Sequence, residues 1–559
     1  MYTTINPFKY STYMKYPLLR LCRQFIIYLL LGNILLLFSN MPIAVYLSKS
    51  IPGKVFQFVH GEWIHDYYSY LAYITEGKEG LWLKKSPYSI EPQTPGIFHI
   101  YFVLAGKLGA VFHLDPRFNY HLIRLLTAQF YLLAVYLLSS VVLDKKYSFM
   151  GAIFILIGTV APPYFFKTKI WTDNYPFGNP FWENFDALQR LYALPHHLFG
   201  QAAATLSAAC FFLFVRKRKI LLLFAAVITA TFATIIFPPM LLPLALGVLL
   251  SWVLFFLTTY FKTRQIQIDK RIIFALFLYL LVLGLIVLIL QFQEKQGYQW
   301  SQTRSWEILR WNKYEPNIDH SLFFLFGILP IFALPSAVYN IIKRNWSLIF
   351  VTVWACLPFL LLPFVELLWL SKIRLAQINS YIPLGILCAD TIYHVIPKLK
   401  INYLKTILLT LFLTANLGVI IYLFILRYQS ISTHANYRLD SVYMRKSTYD
   451  SLDFIQNTVP KNSIFLSSPI VGLVIPSYSR NTSFIAHLTD TYNYAQKEKE
   501  MIKFFSNSMT DTEAELFLKN NGINFVYFGL DEKQYSNQLN YSFLKEYYNK
   551  DDVQIYRVN

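Results

Sequence analysis

The chain has 559 residues, of which 55% are hydrophobic and 18% aromatic, and its mean hydropathy is +0.39. Only 14% of the residues are charged, against about 25% in an average soluble domain, which excludes an ordinary soluble protein. The net charge of +19 is explained in a membrane chain by the preference of Lys and Arg for cytoplasmic loops, so we predict no nucleic-acid partner.

Repeated apolar runs predict a polytopic α-helical membrane protein. About eleven of them are long enough to cross a bilayer, which takes about 20 residues per helix. They cover residues 18–47, 120–143, 148–166, 193–215, 220–237, 239–261, 272–292, 321–342, 346–370, 378–397 and 404–427. The first run is too long for the apolar region of a cleavable signal and is predicted to remain as a membrane anchor.

One further apolar segment, 96–114, is marginal, and loop charge decides its assignment. If it does not cross the membrane, the short basic connections all lie on the cytoplasmic side with the N terminus, as expected. These connections are residues 144–146, 216–219, 262–271, 343–344 and 398–405. We therefore predict that 96–114 is a helix on the outer membrane surface and that the C terminus is extracytoplasmic.

The long connections then all lie on the side opposite the basic loops. Loops longer than about 12–15 residues are usually functional or disordered. We predict a transmembrane catalytic module over residues 1–430, with external loops 48–119, 167–192 and 293–320, followed by an extracytoplasmic α/β domain over 431–559. The predicted location is the cell membrane, as a bacterial inner-membrane protein.

The C-terminal region reads as a small α/β domain with a mostly parallel sheet. Thr510 and Glu513 form a capping box that begins a helix, and Asn521-Gly522 is a typical helix end. Strands are predicted at 463–467, 523–528 and 553–557. Four polar residues of this region are candidate polar contacts, although the favoured interpretation is that they are ordinary surface residues: Ser479, Arg480, His487 and Lys497.

Asp66 in the first external loop is the candidate catalytic residue. It stands in the segment His65-Asp66-Tyr67-Tyr68-Ser69-Tyr70. A carboxylate held among aromatic rings and away from bulk water can act as a general base. The alternative is a solvated acid that caps a helix.

The second external loop offers further polar candidates. Its acids Asp173, Glu183 and Asp186 are unranked candidates for a second catalytic acid, and Arg190 follows them. His196 and His197 stand at the entrance of the next span, where histidine can bind phosphate, transfer protons or ligate a metal. Contact with lipid headgroups is the alternative for both histidines.

Lys372 and Arg374 are predicted on the outer side, against the usual distribution of basic residues. A lipid phosphate is a natural partner, because the guanidinium fork matches phosphate geometry. Simple contact with headgroups is the alternative. The aromatic residues of loop 293–320 suit stacking on sugars, although aromatic side chains also gather at membrane interfaces by default.

Together these segments resemble the GT-C superfamily of membrane glycosyltransferases, most closely its uncharacterised bacterial members. That group includes protein O-mannosyltransferases, lipid A aminoarabinose transferases and oligosaccharyltransferase catalytic subunits. The resemblance rests on residues 65–70, 76–82, 101–109 and 120–124, on Arg374 ahead of 381–384, and on 475–480 with His487.

The resemblance implies an inverting transferase that uses a polyprenyl-phosphate sugar and an extracytoplasmic glycan, lipid or protein acceptor. Asp66 would be the catalytic residue, and Arg374 would hold the leaving phosphate with Lys372 or Arg190. His65, Tyr70, His196 and His197 are further substrate-binding candidates. The first loop lacks a doubled acid, so no cofactor is certain and a divalent metal stays possible.

Two other functions remain open on the sequence, as does a non-enzymatic assembly or scaffold role that would depend on the C-terminal domain. A transporter or flippase of a lipid-linked saccharide would show internal repeats and charges at the membrane midplane, and the sequence shows no repeat. A ligase or polymerase with a pyrophosphate-linked donor would carry a large late external loop instead of an early Asp.

Overall fold

The computed structural model describes residues 18–59, 64–161, 186–192, 194–265, 269–296, 298–314, 325–401, 403–433 and 442–558. The chain divides into two compact units, each built from three stretches of sequence. The first unit comprises Met1–Met41, Arg124–Ile289 and Ile308–Ser430; the second comprises Pro42–Ile123, Leu290–Glu307 and Ile431–Asn559. The first predicted external loop and the C-terminal region therefore belong to one unit.

Eight helices of the described chain are long and apolar enough to cross a membrane, which supports the predicted integral membrane class. They are Cys22–Ser39, Pro116–Val142, Pro195–Lys217, Pro238–Thr263, Lys270–Gln296, Trp346–Phe364, Lys372–Leu399 and Leu404–Gln429. The predicted spans 148–166, 220–237 and 321–342 correspond to shorter apolar helices, Ser148–Ile157, Ile220–Ile236 and Leu329–Lys343. The total of about eleven spans and their orientation stay predictions.

The first unit is helical in all of its described parts. The helices that lie wholly or mainly in it are Leu18–Ser39, Pro116–Val142, Ser148–Ile157, Ala187–Arg190, Pro195–Lys217, Ile220–Ile236, Val248–Thr263, Lys270–Gln296, Leu329–Lys343, Trp346–Leu361, Lys372–Ala376, Tyr381–Asp390 and Leu404–Thr433. Short 3-10 or π turns adjoin several of them. The turns Pro238–Met240 and Leu242–Gly247, for example, precede Val248–Thr263, because proline lacks the N–H that a regular helix requires.

The second unit contains nine helices within its described residues. They are Met41–Leu47, Ile64–Lys78, Ile100–Val111, Tyr298–Ile308, Lys446–Thr458, Pro469–Tyr478, Tyr494–Phe505, Asp511–Asn520 and Leu530–Lys533. Ile100–Val111 occupies the place of the helix predicted at 96–114. It packs closely on Ile64–Lys78, hereafter the Asp66 helix, because glycines at Gly77 and Gly106 let the two backbones meet.

Seven short strands complete the second unit. They are β1 (Lys54–Phe56), β2 (Tyr443–Arg445), β3 (Ile464–Leu466), β4 (Thr482–Ser483), β5 (Phe525–Phe528), β6 (Lys545–Lys550) and β7 (Val553–Arg557). Strands β1 and β2 pair antiparallel, with Val55 opposite Met444. The other five form one sheet in the order β4-β3-β5-β7-β6.

The prediction of a mostly parallel sheet is wrong. Strand β3 runs parallel to β4 and β5, whereas β7 runs antiparallel to β5 and to β6. The cause is the hairpin of β6 and β7, whose short turn at Asp551 and Asp552 can join only antiparallel strands. The predicted capping box is confirmed: Thr510 and Glu513 cap each other at the start of Asp511–Asn520.

Candidate functional site

Asp66 lies in the first turn of its helix, in the second unit. Its carboxylate favours this end of the helix, because the backbone N–H groups there are not paired within the helix. The side chain is 34% exposed, and its Oδ1 atom lies 3.6 Å from Nε2 of His487. The residue thus combines access from solvent with a specific partner from the C-terminal region.

His487 belongs to the irregular segment between β4 and the helix Tyr494–Phe505. The backbone N–H of Thr489 donates to its Nδ1 atom over 3.3 Å, and the Thr489 hydroxyl lies 3.0 Å from the same atom. Oδ1 of Asp490 is 3.9 Å from Nδ1. The imidazole is therefore placed between two carboxylates, Asp66 and Asp490.

Asp490 lies behind His487 and is tied to two buried side chains. The hydroxyl of Tyr73 donates to its Oδ2 atom over 2.7 Å. The ammonium of Lys84 lies 3.9 Å from the same oxygen and also 3.9 Å from the centre of the Tyr73 ring. The site therefore continues inward from Asp66 as a buried polar chain.

Burial and neighbouring charges have opposite effects on the pKa values of the buried polar groups behind Asp66. Burial disfavours the imidazolium of His487, but the nearby carboxylates of Asp66 and Asp490 outweigh it and raise the pKa of His487. Burial likewise lowers the pKa of Lys84 to about 8, although Asp490 opposes that change. The pKa of Asp490 stays below its usual range, because Lys84 and His487 offset the effect of burial.

Glu76 lies nearly three turns further along the Asp66 helix and is buried. Burial raises its pKa to about 8, with Lys84 and Arg480 opposing the rise. Perturbed acids and bases gather at functional sites more often than elsewhere, although structural ion pairs also perturb pKa values. Glu76 and Lys84 were not singled out from the sequence as site residues.

Packing of the Asp66 helix on the C-terminal region holds the carboxylates of Asp66 and Asp490 in place. The Thr75 hydroxyl donates to the carbonyl of Ser477 over 2.8 Å, at the end of the helix Pro469–Tyr478. The following segment adds the bond from Ser483 N–H to the Pro87 carbonyl, also 2.8 Å. The candidate catalytic loop and the C-terminal region therefore share a set of direct contacts.

The loop 293–320, predicted to be external, also reaches this segment. Its helix Tyr298–Ile308 carries Gln302, whose side-chain amide donates to the Thr491 carbonyl over 3.2 Å. Gln293 accepts a hydrogen bond from the backbone of Ile97 over 2.7 Å. The described part of this loop thus lies against the residues that follow Asp490.

His65 and Tyr70 take different places around Asp66. His65 lies beside it, with its ring centre 6.2 Å from that of His487, and burial with the nearby His487 lowers the pKa of His65. Tyr70 is buried and stacks on Phe102 at 4.2 Å. The ring of Tyr70 therefore joins the Asp66 helix to the helix Ile100–Val111.

The interpretation of the C-terminal polar residues as ordinary surface residues is wrong for three of them. Ser479 and Lys497 are buried, and the side chain of His487 is 15% exposed. Lys497 forms an ion pair with Glu91 at 2.7 Å. For His487 and Lys497 the cause is packing against residues of the first loop, which no local pattern could reveal. Ser479 is instead bonded within the C-terminal region, to the carbonyl of Ile475 and the side chain of Asn481.

In the first unit, Arg374 and His197 lie beside one aromatic ring, that of Phe237, and His196 adjoins His197. The ring of His197 is 4.2 Å from that of Phe237, and the Arg374 guanidinium lies 6.0 Å from the same Phe237 ring. His196 and His197 begin the helix Pro195–Lys217 with ring centres 4.3 Å apart. The positive charge of Arg374 acts on His196, so the structure brings these three predicted residues together.

A buried hydrogen-bond network supports Arg374 within the first unit. Its guanidinium donates to the side chain of Gln377 over 2.8 Å. The Gln377 carbonyl accepts from Gln201, which in turn accepts from Asn379 at 3.0 Å, and Asn379 also donates to the Tyr131 hydroxyl. Buried polar side chains in membrane-spanning helices destabilise a protein unless they are paired, and they often mark functional sites. Gln201 and Asn379 were not identified from the sequence as site residues.

The remaining basic and acidic candidates of the first unit have structural partners. The Arg190 guanidinium donates to the carbonyls of Ile155 and Gly158 at the end of the helix Ser148–Ile157, and stacks on Tyr381. Asp186 caps the helix Ala187–Arg190 and pairs with Arg427 at 2.7 Å. Lys372 begins the short helix Lys372–Ala376 that carries Arg374.

Asp173 and Glu183 lie outside the described residues. Among the residues that are described, no group of three or more His, Cys, Asp or Glu side chains is arranged to hold a metal ion.

The fold is similar to that of the oligosaccharyltransferase from Archaeoglobus fulgidus. The apo form of that protein aligns with a TM-score of 0.50 and 14% identity, over 89% of this chain and 69% of that chain. Its complex with an inhibitory peptide and a dolichol-phosphate aligns with a TM-score of 0.49 and 15% identity, over the same two shares. No protein-family model matches the sequence, and no curated protein matches it in a sequence search.

The apo comparison agrees with the expected helical membrane fold, whereas the number of spans and their orientation stay predictions. Oligosaccharyltransferase catalytic subunits are among the proteins that the sequence resembles, and at 14% identity the similarity concerns the fold alone. The chain therefore shares the fold of this archaeal oligosaccharyltransferase.

Proposed function

We propose that the chain is an inverting membrane glycosyltransferase of the GT-C type. It moves a sugar from a polyprenyl-phosphate donor to a glycan, lipid or protein acceptor on the extracytoplasmic side. The observation that carries this proposal is the half-exposed Asp66 at the start of a closely packed helix, backed by His487 and Asp490. The shared fold supports the same class of enzyme.

The proposed reaction is a single displacement at the anomeric carbon of the donor sugar. The acceptor heteroatom attacks this carbon while the bond from carbon to phosphate oxygen breaks, and the electron pair leaves with the polyprenyl phosphate. Asp66 orients the acceptor and takes its proton, the role of a general base. Attack opposite the leaving group inverts the anomeric configuration.

Arg374 is proposed to hold the donor phosphate, with Lys372 contributing charge. The guanidinium fork suits phosphate oxygens, and the network through Gln377 and Gln201 fixes its direction. His196 and His197 lie beside it and complete a cluster of donors. The carbonyls bound by Arg190 support a structural role for that residue instead.

A transfer assay in nanodiscs tests the proposal. The purified full chain receives a polyprenyl-phosphate sugar with acceptor mixtures, and release of polyprenyl phosphate is measured with and without a divalent cation. The proposal predicts release and sugar transfer that depend on Asp66.

The other two functions give different results in the same assay. A flippase would move the intact donor across the bilayer of proteoliposomes without cleaving it, and a ligase of the other class would accept only a pyrophosphate-linked donor. Either result would overturn the proposal.

A further inference from the structure

The imidazole of His487 has a defined direction for its proton. Its Nδ1 atom accepts from the backbone N–H of Thr489. A ring nitrogen that accepts a hydrogen bond carries no proton, so neutral His487 is protonated on Nε2. Nε2 is the atom that faces Oδ1 of Asp66. His487 is therefore arranged to donate to the catalytic carboxylate.

The same donor persists when the ring becomes cationic. An imidazolium carries protons on both nitrogens, and its Nδ1–H would then face Asp490, 3.9 Å away. The other titratable groups around the ring come from two segments: His65 and Asp66 from the Asp66 helix, and Lys84 and Tyr88 from the segment after it. Both protonation states of His487 thus present an N–H to Asp66.

The two carboxylate oxygens of Asp66 have different surroundings. Oδ1 faces His487. No hydrogen bond or ion pair to Oδ2 is present among the described residues, and the side chain is 34% exposed. The Nε2 to Oδ1 distance of 3.6 Å is long for a hydrogen bond, as is common at catalytic sites without substrate, where such contacts shorten on binding.

We propose that His487 is a positioning residue, which holds Oδ1 of Asp66 so that Oδ2 faces the acceptor. Through this contact the C-terminal region contributes a residue that positions the catalytic carboxylate. The inference rests on the proposed function of Asp66. A carboxylate free to rotate would spend less time in the reactive geometry, and loss of such positioning lowers kcat more than it raises KM.

Two polar replacements of similar volume test this role in the full-length chain. The amide nitrogen of Gln reaches the position of Nε2, whereas the amide of Asn reaches only that of Nδ1. We expect His487→Asn to lower kcat about 10- to 100-fold with little change in the donor KM. His487→Gln should recover most of that loss, and the exposed His113→Gln serves as a control with wild-type rates.

The transfer rates of these variants either support or overturn the proposed positioning role of His487. Equal rates for His487→Asn and His487→Gln, whether both high or both low, would overturn it, because a role in packing alone does not distinguish the two amides. Melting temperatures of the variants show whether a low rate follows from unfolding. If the wild type transfers no sugar, or Asp66→Asn is fully active, the proposed function fails. If Asp66→Asn is inactive while His487→Asn keeps its rate, only the inference about His487 fails.

Discussion

A Cβ atom placed on Gly106 would lie 2.1 Å from the carbonyl oxygen of Ile74. No real Cβ approaches a backbone atom so closely, so the helix Ile100–Val111 can meet the Asp66 helix only with glycine at this position. The same holds at Gly77, where a Cβ would lie 2.1 Å from the Val103 carbonyl oxygen. This contact fixes the helix that carries Asp66.

The first prediction concerns this contact. Gly106→Ala should force the two helices apart and destabilise the second unit by about 1–3 kcal/mol or more, with loss of transfer activity. Thermal unfolding of the purified protein measures the effect. Gly284→Ala is the matched control, because a Cβ there meets nothing within 4 Å. Equal melting temperatures for the two variants would contradict the described packing.

The second prediction concerns pH. The pKa of Glu76 is raised to about 8, so the folded state binds a proton that the unfolded state releases near pH 4.5. Stability should therefore fall as pH rises from about 5 to about 8, with a slope approaching 1.4 kcal/mol per pH unit. The raised pKa of His487 acts in the same direction. The lowered pKa of Lys84 has the opposite effect, but only above about pH 8, where the folded protein has released a proton that the unfolded chain still binds.

Glu76→Gln should flatten this slope, as followed by melting temperature across the same pH range. Glu79→Gln is the control, because Glu79 is partly exposed and pairs with Lys461 on the surface. A Glu76→Gln protein that keeps the full slope would show that another group causes the pH dependence.

The third prediction concerns the donor phosphate. Arg374→Gln should raise the KM for the polyprenyl-phosphate sugar roughly 10- to 100-fold, since a hydrogen bond to a charged group contributes about 1.5–3 kcal/mol. Lys343→Gln, an exposed substitution in a basic connection, should leave this KM unchanged. Steady-state kinetics over donor concentration make the comparison, and an unaltered KM in Arg374→Gln would remove that residue from the proposed phosphate site.

The fourth prediction concerns topology. Lys217 is predicted in a cytoplasmic connection and Lys107 on the outer surface. A membrane-impermeant maleimide added to intact cells should therefore label Lys107→Cys and leave Lys217→Cys unlabelled until the membrane is opened. The reverse pattern would invert the orientation and place Asp66 in the cytosol.

Sequence patterns predicted the secondary-structure elements that depend on interactions between residues close together in the chain. Long apolar runs became helices, and the capping box of Thr510 and Glu513 begins a helix because its bonds span three residues. The antiparallel part of the sheet was missed, because β6 is mostly polar and exposed and gives no apolar alternation.

The candidate site required contacts that join distant parts of the chain. Asp66 could be proposed from its own segment, but its pairing with His487 depends on the packing of the Asp66 helix against Pro469–Tyr478. The same is true of Gln201 and Asn379, which support Arg374 from two different helices or turns. A single sequence carries no signal for such pairs.

The most direct test of the central claim is the rate of sugar transfer by Asp66→Asn in nanodiscs. Asn preserves the volume of the side chain but cannot accept the acceptor proton, so we expect the rate to fall about 10²- to 10⁴-fold. Insertion and melting temperature should remain those of the wild type. A rate for Asp66→Asn equal to that of the wild type would contradict the assignment of Asp66 as the catalytic residue.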